Sequence, residues 1–218
     1  HTSCYSPSAM LPKIALVVTG ENYGGKGAFV SLLEEYFGFQ TVSFSVLLRT
    51  IADSLGTGKD PESLGKIADT LRSGIGPGAL AGVTLEKTNI LSERIVFDSW
   101  RNPAELYYLE SYFKRLSEGA GQSTRIASVA VRASNKTRFR RSLARGREGD
   151  PQTLEEFLKR ENDEMENTND FQQQITRCIN QAEFTIWNDT DKKGDLLRAT
   201  RVLIKQIEGV SVDVERSR

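Results

Sequence analysis

Histidine is all but missing from this chain of 218 residues. The single copy, His1, stands at the amino terminus, which leaves no histidine for general-base catalysis inside a fold. Cysteine is nearly as scarce. Cys4 and Cys178 are too few and too far apart for a disulfide framework or a zinc site, which fits a reducing, cytoplasmic compartment. No apolar run approaches the length of a membrane span, and the amino terminus lacks a secretory leader pattern. Neither sign of charge is in excess: 29 Lys plus Arg balance 29 Asp plus Glu, so no global field points to nucleic acid or to a membrane surface. What remains is an enzyme-like composition of a length that suits one domain with small inserts, as a monomer or homodimer. The polar, Ser-rich stretch 1–9 ahead of Met10 reads as a tag remnant or disordered leader, and 210–218 as a tail.

Glycine is present where it carries meaning. Gly20-Glu-Asn-Tyr-Gly-Gly-Lys-Gly27 has the spacing G-x-x-x-x-G-K of a phosphate-binding loop. The apolar run Ile14–Thr19 enters it as a buried strand, and Phe29–Tyr36 leaves it as a helix. In such a turn, glycines let consecutive backbone N–H groups curl around an anion at the positive end of the helix. The cradle expected here runs over Gly20, Glu21, Asn22, Tyr23, Gly24, Gly25, Lys26, Gly27 and Ala28, with Lys26 as the mobile charge for the terminal phosphates. Gly27 replaces the Ser or Thr that usually ligates magnesium, and the resulting Gly-Lys-Gly resembles the adenylate-kinase variety of the loop.

Beyond the loop, strands alternate with helices. Strands are expected at 41–45, 94–98, 125–131 and 184–187. Helices are expected at 46–55, 61–73, 79–91, 103–116, 136–144, 153–166, 171–181 and 195–208. Helical crossovers between strands imply an α/β fold: a three-layer sandwich around a five-stranded parallel sheet.

Several polar residues fall at the carboxyl ends of these strands, where open parallel sheets bind ligands. Asp98 ends an apolar strand, so it suits magnesium, or alternatively a cap for the helix beginning at Asn102-Pro103. Arg101 follows at the same edge. Ser45 and Arg49 open the helix after the second strand, and Arg72 ends the next one; an arginine's planar fork suits a phosphate acceptor. Arg138, Arg141 and Arg145 share one helical face, with Arg147 in the following break, as positive charge for a transferring phosphoryl group or as a solvated face. Asn188 follows the last strand, where it can hold a base or cap a turn.

In their order along the chain these motifs resemble the nucleoside-monophosphate-kinase-like group of phosphate-loop proteins. The nearest likeness is to the archaeal nucleotide-kinase-like ATPases related to dephospho-coenzyme A kinase. The likeness rests on Gly25-Lys-Gly27, Leu64–Arg72 with Gly76-Pro-Gly78, Phe97–Glu105, Arg138–Arg147 with Asp150-Pro151, and Ala182–Asp189. The resemblance implies a kinase domain over 10–209, an acceptor-binding insert near 45–91 and a lid near 138–166. It implies ATP and Mg²⁺ as cofactors and transfer of the γ-phosphoryl group to a nucleoside monophosphate or similar small phosphate. Dephospho-coenzyme A kinase and a slow or non-catalytic nucleotide-binding regulator are the alternatives. Lys26, Asp98, Arg101, Arg138, Arg141, Arg145 and Arg147 would be catalytic, with Asp98 on the metal. Gly20–Ala28 and Asn188 would bind the nucleotide, and Ser45, Arg49, Arg72 and Arg101 the acceptor. Tyr23, where this group has glycine, Ala28, Ser99 and Trp100 depart from the pattern.

Overall fold

Seven consecutive residues, Ile14–Gly20, form β1, buried along both faces as a central parallel strand requires. The computed structural model describes residues 11–118, 120–146, 151–165 and 169–209. Within them β1 is flanked on one side by β3 (Arg94–Asp98) and on the other by β4 (Arg125–Arg132). β2 (Gln40–Ser43) and β5 (Phe184–Trp187) complete a five-stranded, all-parallel sheet in the order β2-β3-β1-β4-β5. The expected three-layer α/β sandwich is present.

Alternation along β1 sends Ile14, Leu16 and Val18 to one face and Ala15 and Val17 to the other. The first face packs on α1 (Lys26–Phe37) and α9 (Lys193–Ile207) through Phe29, Leu33, Leu203 and Ile204. The second packs on α2 (Phe44–Leu55), α3 (Pro61–Ile75), α4 (Ala79–Glu86), α5 (Pro103–Ser117) and α8 (Ile175–Gln181). Phe97 is its centre, with Phe44 and Phe113 rings each 6.1 Å away. α6 (Asn135–Arg145) and α7 (Leu154–Met165) follow β4.

Three of the boundaries that differ from expectation have a clear local reason. β2 stops at Ser43 because Phe44 turns into the core as the first residue of α2. α4 stops at Glu86 because the Gln40 side chain grips the segment beyond it, donating to the Asn89 carbonyl and accepting the Leu91 N–H, both at 2.8 Å. α8 begins at Ile175, not at Phe171. The preceding segment is strapped onto the β3–α5 turn: Asn102 Nδ2 donates to the carbonyls of Asp170 and Gln172, and the Gln174 N–H to that of Arg101.

The same turn is held from below by Glu105. Its buried carboxylate accepts the Arg101 and Asn102 N–H groups through one oxygen, while the other pairs with Arg72 Nη2 at 2.8 Å. A buried carboxylate with both oxygens occupied is stable only while its cation remains. Glu105→Ala should therefore cost about 3–5 kcal/mol in urea unfolding. The pair Arg72→Met with Glu105→Leu should recover the share due to unpaired charge, but not the share due to the two freed amides.

Candidate functional site

The turn after β1 has a shape that side chains resist. A Cβ on Gly20 would collide with the Val131 carbonyl oxygen. One on Gly25, at φ +96°, would collide with the Asn188 amide. α1 begins at Lys26 immediately after this turn and has no acidic residue in its first turn. Its unpaired N–H groups and positive end therefore face the space above the loop. Those features fit an anionic phosphate chain.

Register brings a carboxylate to the same place. Val18 pairs with Asp98 across β1 and β3, and the Lys26 ammonium forms an ion pair with Asp98 Oδ1 while donating to Ser99 Oγ at 3.2 Å. Burial lowers the Lys26 pKa below its ordinary value, against the opposing pull of Asp98. The helix-cap alternative for Asp98 fails, because Asn102 caps α5 itself and Glu105 completes the capping box. Ser99 adopts φ +75°, so that the Trp100 N–H reaches back to the Val18 carbonyl at 3.0 Å. Among the described residues no group of three or more His, Cys, Asp or Glu side chains stands together as a metal site. Asp98 pairs with Lys26 as a single carboxylate, which fits Mg²⁺ only in the form in which it is carried by substrate phosphates and one carboxylate.

Beside the loop lies a cavity of about 510 Å³. Gly25, Ala28 and Leu32 line one wall, and Asn188, Thr190 and Lys193 the other. Asn188 closes its inner end, donating from Nδ2 to the Gly24 carbonyl at 3.1 Å. A planar base with its ribose is of the size that such a cleft takes.

The arginines divide. Arg101 stands at the carboxyl edge near Asp98, its guanidinium donating to Gln173 Oε1 at 2.6 Å. Arg49 is exposed on α2, and Ser45 bonds Ser43 at 3.0 Å. Arg72 does not face the cleft. It is 1% exposed, locked to Glu105, and supports the Arg101 turn from within. Arg138 is buried and paired with Glu161 of α7, with its Nε 3.8 Å from Glu21. Arg141 braces the loop: it donates to the carbonyls of Tyr23 (3.2 Å), Gly24 (3.4 Å), Asn188 (2.9 Å) and Thr190 (3.1 Å). Arg145 lies over the Tyr23 ring at 5.8 Å. Arg147 lies outside the described residues.

Three site-edge residues escaped the sequence reading. Arg132 ends β4, binds Glu21 at 3.0 Å and stacks over Trp187 at 4.9 Å. Its position at a strand's carboxyl end is the signal that singled out Asp98. Glu161 and Gln173 sit in polar segments and had no such signal.

No family-level sequence profile matches the chain. A UPF0200 protein of Pyrococcus furiosus is 34% identical over 153 residues, spanning 69% of this chain and 77% of that protein. The chain belongs to the UPF0200 family. A second UPF0200 protein, from Pyrococcus abyssi, is 29% identical over 195 residues, covering 88% of this chain and 96% of its own length. A UPF0200 protein of Sulfurisphaera tokodaii is 30% identical over 175 residues, 80% and 87% of the two chains. The solved structure of a putative kinase from Chloroflexus aurantiacus matches this UPF0200 chain with a TM-score of 0.53 at 15% identity, covering 93% of this chain and 100% of that one. Shikimate kinase from Bacteroides thetaiotaomicron matches with a TM-score of 0.50 at 9% identity, covering 89% and 98%. At these identities the likeness is one of fold alone. Among the described residues no helix is long and apolar enough to cross a membrane.

Because Lys26 binds its proton more weakly in the fold than in the unfolded chain, the unfolded chain holds the extra proton between the folded value and 10.5. Stability contributed at this site should therefore rise with pH across that window. Urea midpoints of the parent and of Lys26→Met, followed from neutral to alkaline pH, should show the parent gaining on the variant. A constant difference would mean that the ammonium is not desolvated.

Proposed function

We propose that this protein is an ATP-dependent phosphotransferase that moves the γ-phosphoryl group to a nucleoside monophosphate or a similar small phosphate. The observation that carries this reading is Lys26 beside Asp98 at the mouth of a glycine-shaped loop, next to a base-sized cleft. Backbone N–H groups from Glu21 to Gly27 and the α1 amino terminus hold the donor phosphates. Lys26 leaves Asp98 for the terminal oxygens. Asn188 and the loop that follows it flank the base. Arg101, released from Gln173, and Arg49 hold the acceptor's own phosphate. An acceptor oxygen then bonds to the γ-phosphorus as the bond to the β–γ bridging oxygen breaks, with Lys26 and Arg101 balancing the charge. Mg²⁺ carried in with the nucleotide would neutralise phosphate charge, and Asp98 is the residue that would hold it. Around this centre the proposed domain spans 10–209, with an acceptor insert near 45–91.

A slow or non-catalytic nucleotide-binding regulator is the second reading. Arg138 and Arg141 favour it, because both are already engaged by protein groups instead of standing open to a phosphoryl group. A panel of ATP-Mg²⁺ with nucleoside monophosphates, deoxynucleotides and dephospho-coenzyme A separates the two. Turnover on a monophosphate supports the kinase, and tight coenzyme A binding would move the acceptor to dephospho-coenzyme A. Binding without turnover on any acceptor would leave the regulator.

Two variants test the residues. A charge-assisted phosphate contact contributes about 1.5–3 kcal/mol, so Lys26→Ala should weaken ATP binding roughly tenfold or more and reduce turnover further. Asp98→Asn should leave magnesium-free nucleotide affinity intact, or raise it by freeing Lys26, while depressing the magnesium-dependent rate. Unchanged ATP affinity in Lys26→Ala would remove the phosphate loop from the reading.

A further inference from the structure

Tyr23 is the residue at which this phosphate loop most departs from its pattern, and the departure is conformational as well as chemical. It adopts φ +60°, a left-handed conformation that glycine reaches without strain and an aromatic residue does not. Such strain persists only where surrounding contacts outweigh it. Here those contacts come from α6 and α7.

The Tyr23 ring packs on Phe157 of α7 at 6.1 Å, and Phe157 packs in turn on Phe139 of α6 at 5.7 Å. Phe157 is fully buried although it belongs to a short, charged helix. Arg138 caps this aromatic group at 5.4 Å from the Phe157 ring, while its guanidinium pairs with Glu161 and reaches the Asn22 carbonyl at 3.4 Å. Glu161 Oε1 accepts the Asn22 side-chain amide at 3.0 Å. On the other side, Arg141 holds the carbonyls of Tyr23 and Gly24 together with those of Asn188 and Thr190. Three consecutive loop residues are thus gripped through ring, side-chain amide and carbonyl by one helical pair.

We propose that α6 and α7 form a standing clasp on the first half of the phosphate loop, keyed by Tyr23, and not a lid that swings over a bound ligand. Tyr23 is a positioning residue: it fixes α7, and through Phe157 it fixes Arg138 and Glu161 against Glu21 and Asn22. The strained φ is the local cost of that docking. On this view Arg138 and Arg141 shape the loop that takes the phosphates, and the movable cations at the site are Lys26, Arg101 and Arg49. The proposal deepens the nucleotide-binding reading of Gly20–Gly27, but its contacts exist without any ligand.

Hydrogen–deuterium exchange on the full chain, first with no nucleotide, tests it directly. Amides of α7 around Phe157 should be slow in the parent and in Tyr23→Phe. In Tyr23→Gly, which relieves the strained φ and removes the ring, they should exchange about tenfold faster, while β1, β3 and α5 stay unchanged. Phe157→Leu should loosen α7 in the same way and serves if Tyr23→Gly fails to fold. Saturating ATP-Mg²⁺ should leave α7 exchange in the parent within about twofold of the free protein, whereas a swinging lid would slow it by tenfold or more. Unchanged α7 exchange in Tyr23→Gly, or strong protection of α7 by nucleotide, would overturn the clasp. If ATP does not bind at all, the nucleotide-binding reading fails, and the ligand-free comparison still decides the clasp.

Discussion

Pairing of β1 with β3 on one side and β4 on the other is the constraint on which the whole carboxyl edge depends. With a parallel neighbour at each side, the chain leaving β1 cannot drift. Gly20 stands opposite Val131, and Val18 opposite Asp98, so the loop begins pressed between two strand ends. Only a residue without a side chain fits at Gly20, and the carboxylate of Asp98 then falls at the Lys26 ammonium. A slip of one residue in either ladder would turn Asp98 or Val131 to the opposite face and dissolve the arrangement.

Charge at this edge is organised in pairs placed one behind another. Lys26 with Asp98 is the pair nearest the open space. Arg72 with Glu105 lies beneath it, setting the backbone that carries Arg101. Arg132 and Arg138 flank Glu21, and Glu161 pairs with Arg138 from α7. An electrically balanced composition is how this looks from the sequence. The global count says nothing of the local order, in which the outer Lys26–Asp98 pair keeps a partial exposure and can exchange, while the Arg72–Glu105 pair behind it is fully buried and structural.

That distinction marks what could be read in advance. Strands were legible because β-branched and apolar runs bounded by glycine and charge are local signals, and the phosphate loop because its spacing is local too. Asp98 and Arg101 followed from a rule about sheet edges. Arg72 was misplaced because a helical arginine looks the same whether it faces a cleft or a carboxylate 33 residues onward; only tertiary packing decides. The strap before α8 was read as helix because its amide-rich sequence has no stop signal, and its backbone groups are claimed by Asn102 from across the fold. Tyr23 announced itself as an oddity, but its meaning lies in Phe157, more than 130 residues away.

The two tryptophans occupy opposite environments. Trp100 is sealed in the core with its indole N–H donating to the Asn102 carbonyl at 2.7 Å, directly behind the Asp98 turn. Trp187 is 57% exposed at the end of β5, under the Arg132 guanidinium. Intrinsic fluorescence from this chain therefore carries two separable signals. A blue-shifted, quencher-resistant component reports the packing beneath β3, and a red-shifted, quencher-accessible one reports the charge beside Glu21. With no labels attached, the emission spectrum can tell a disturbance of the fold from a disturbance of the loop's edge.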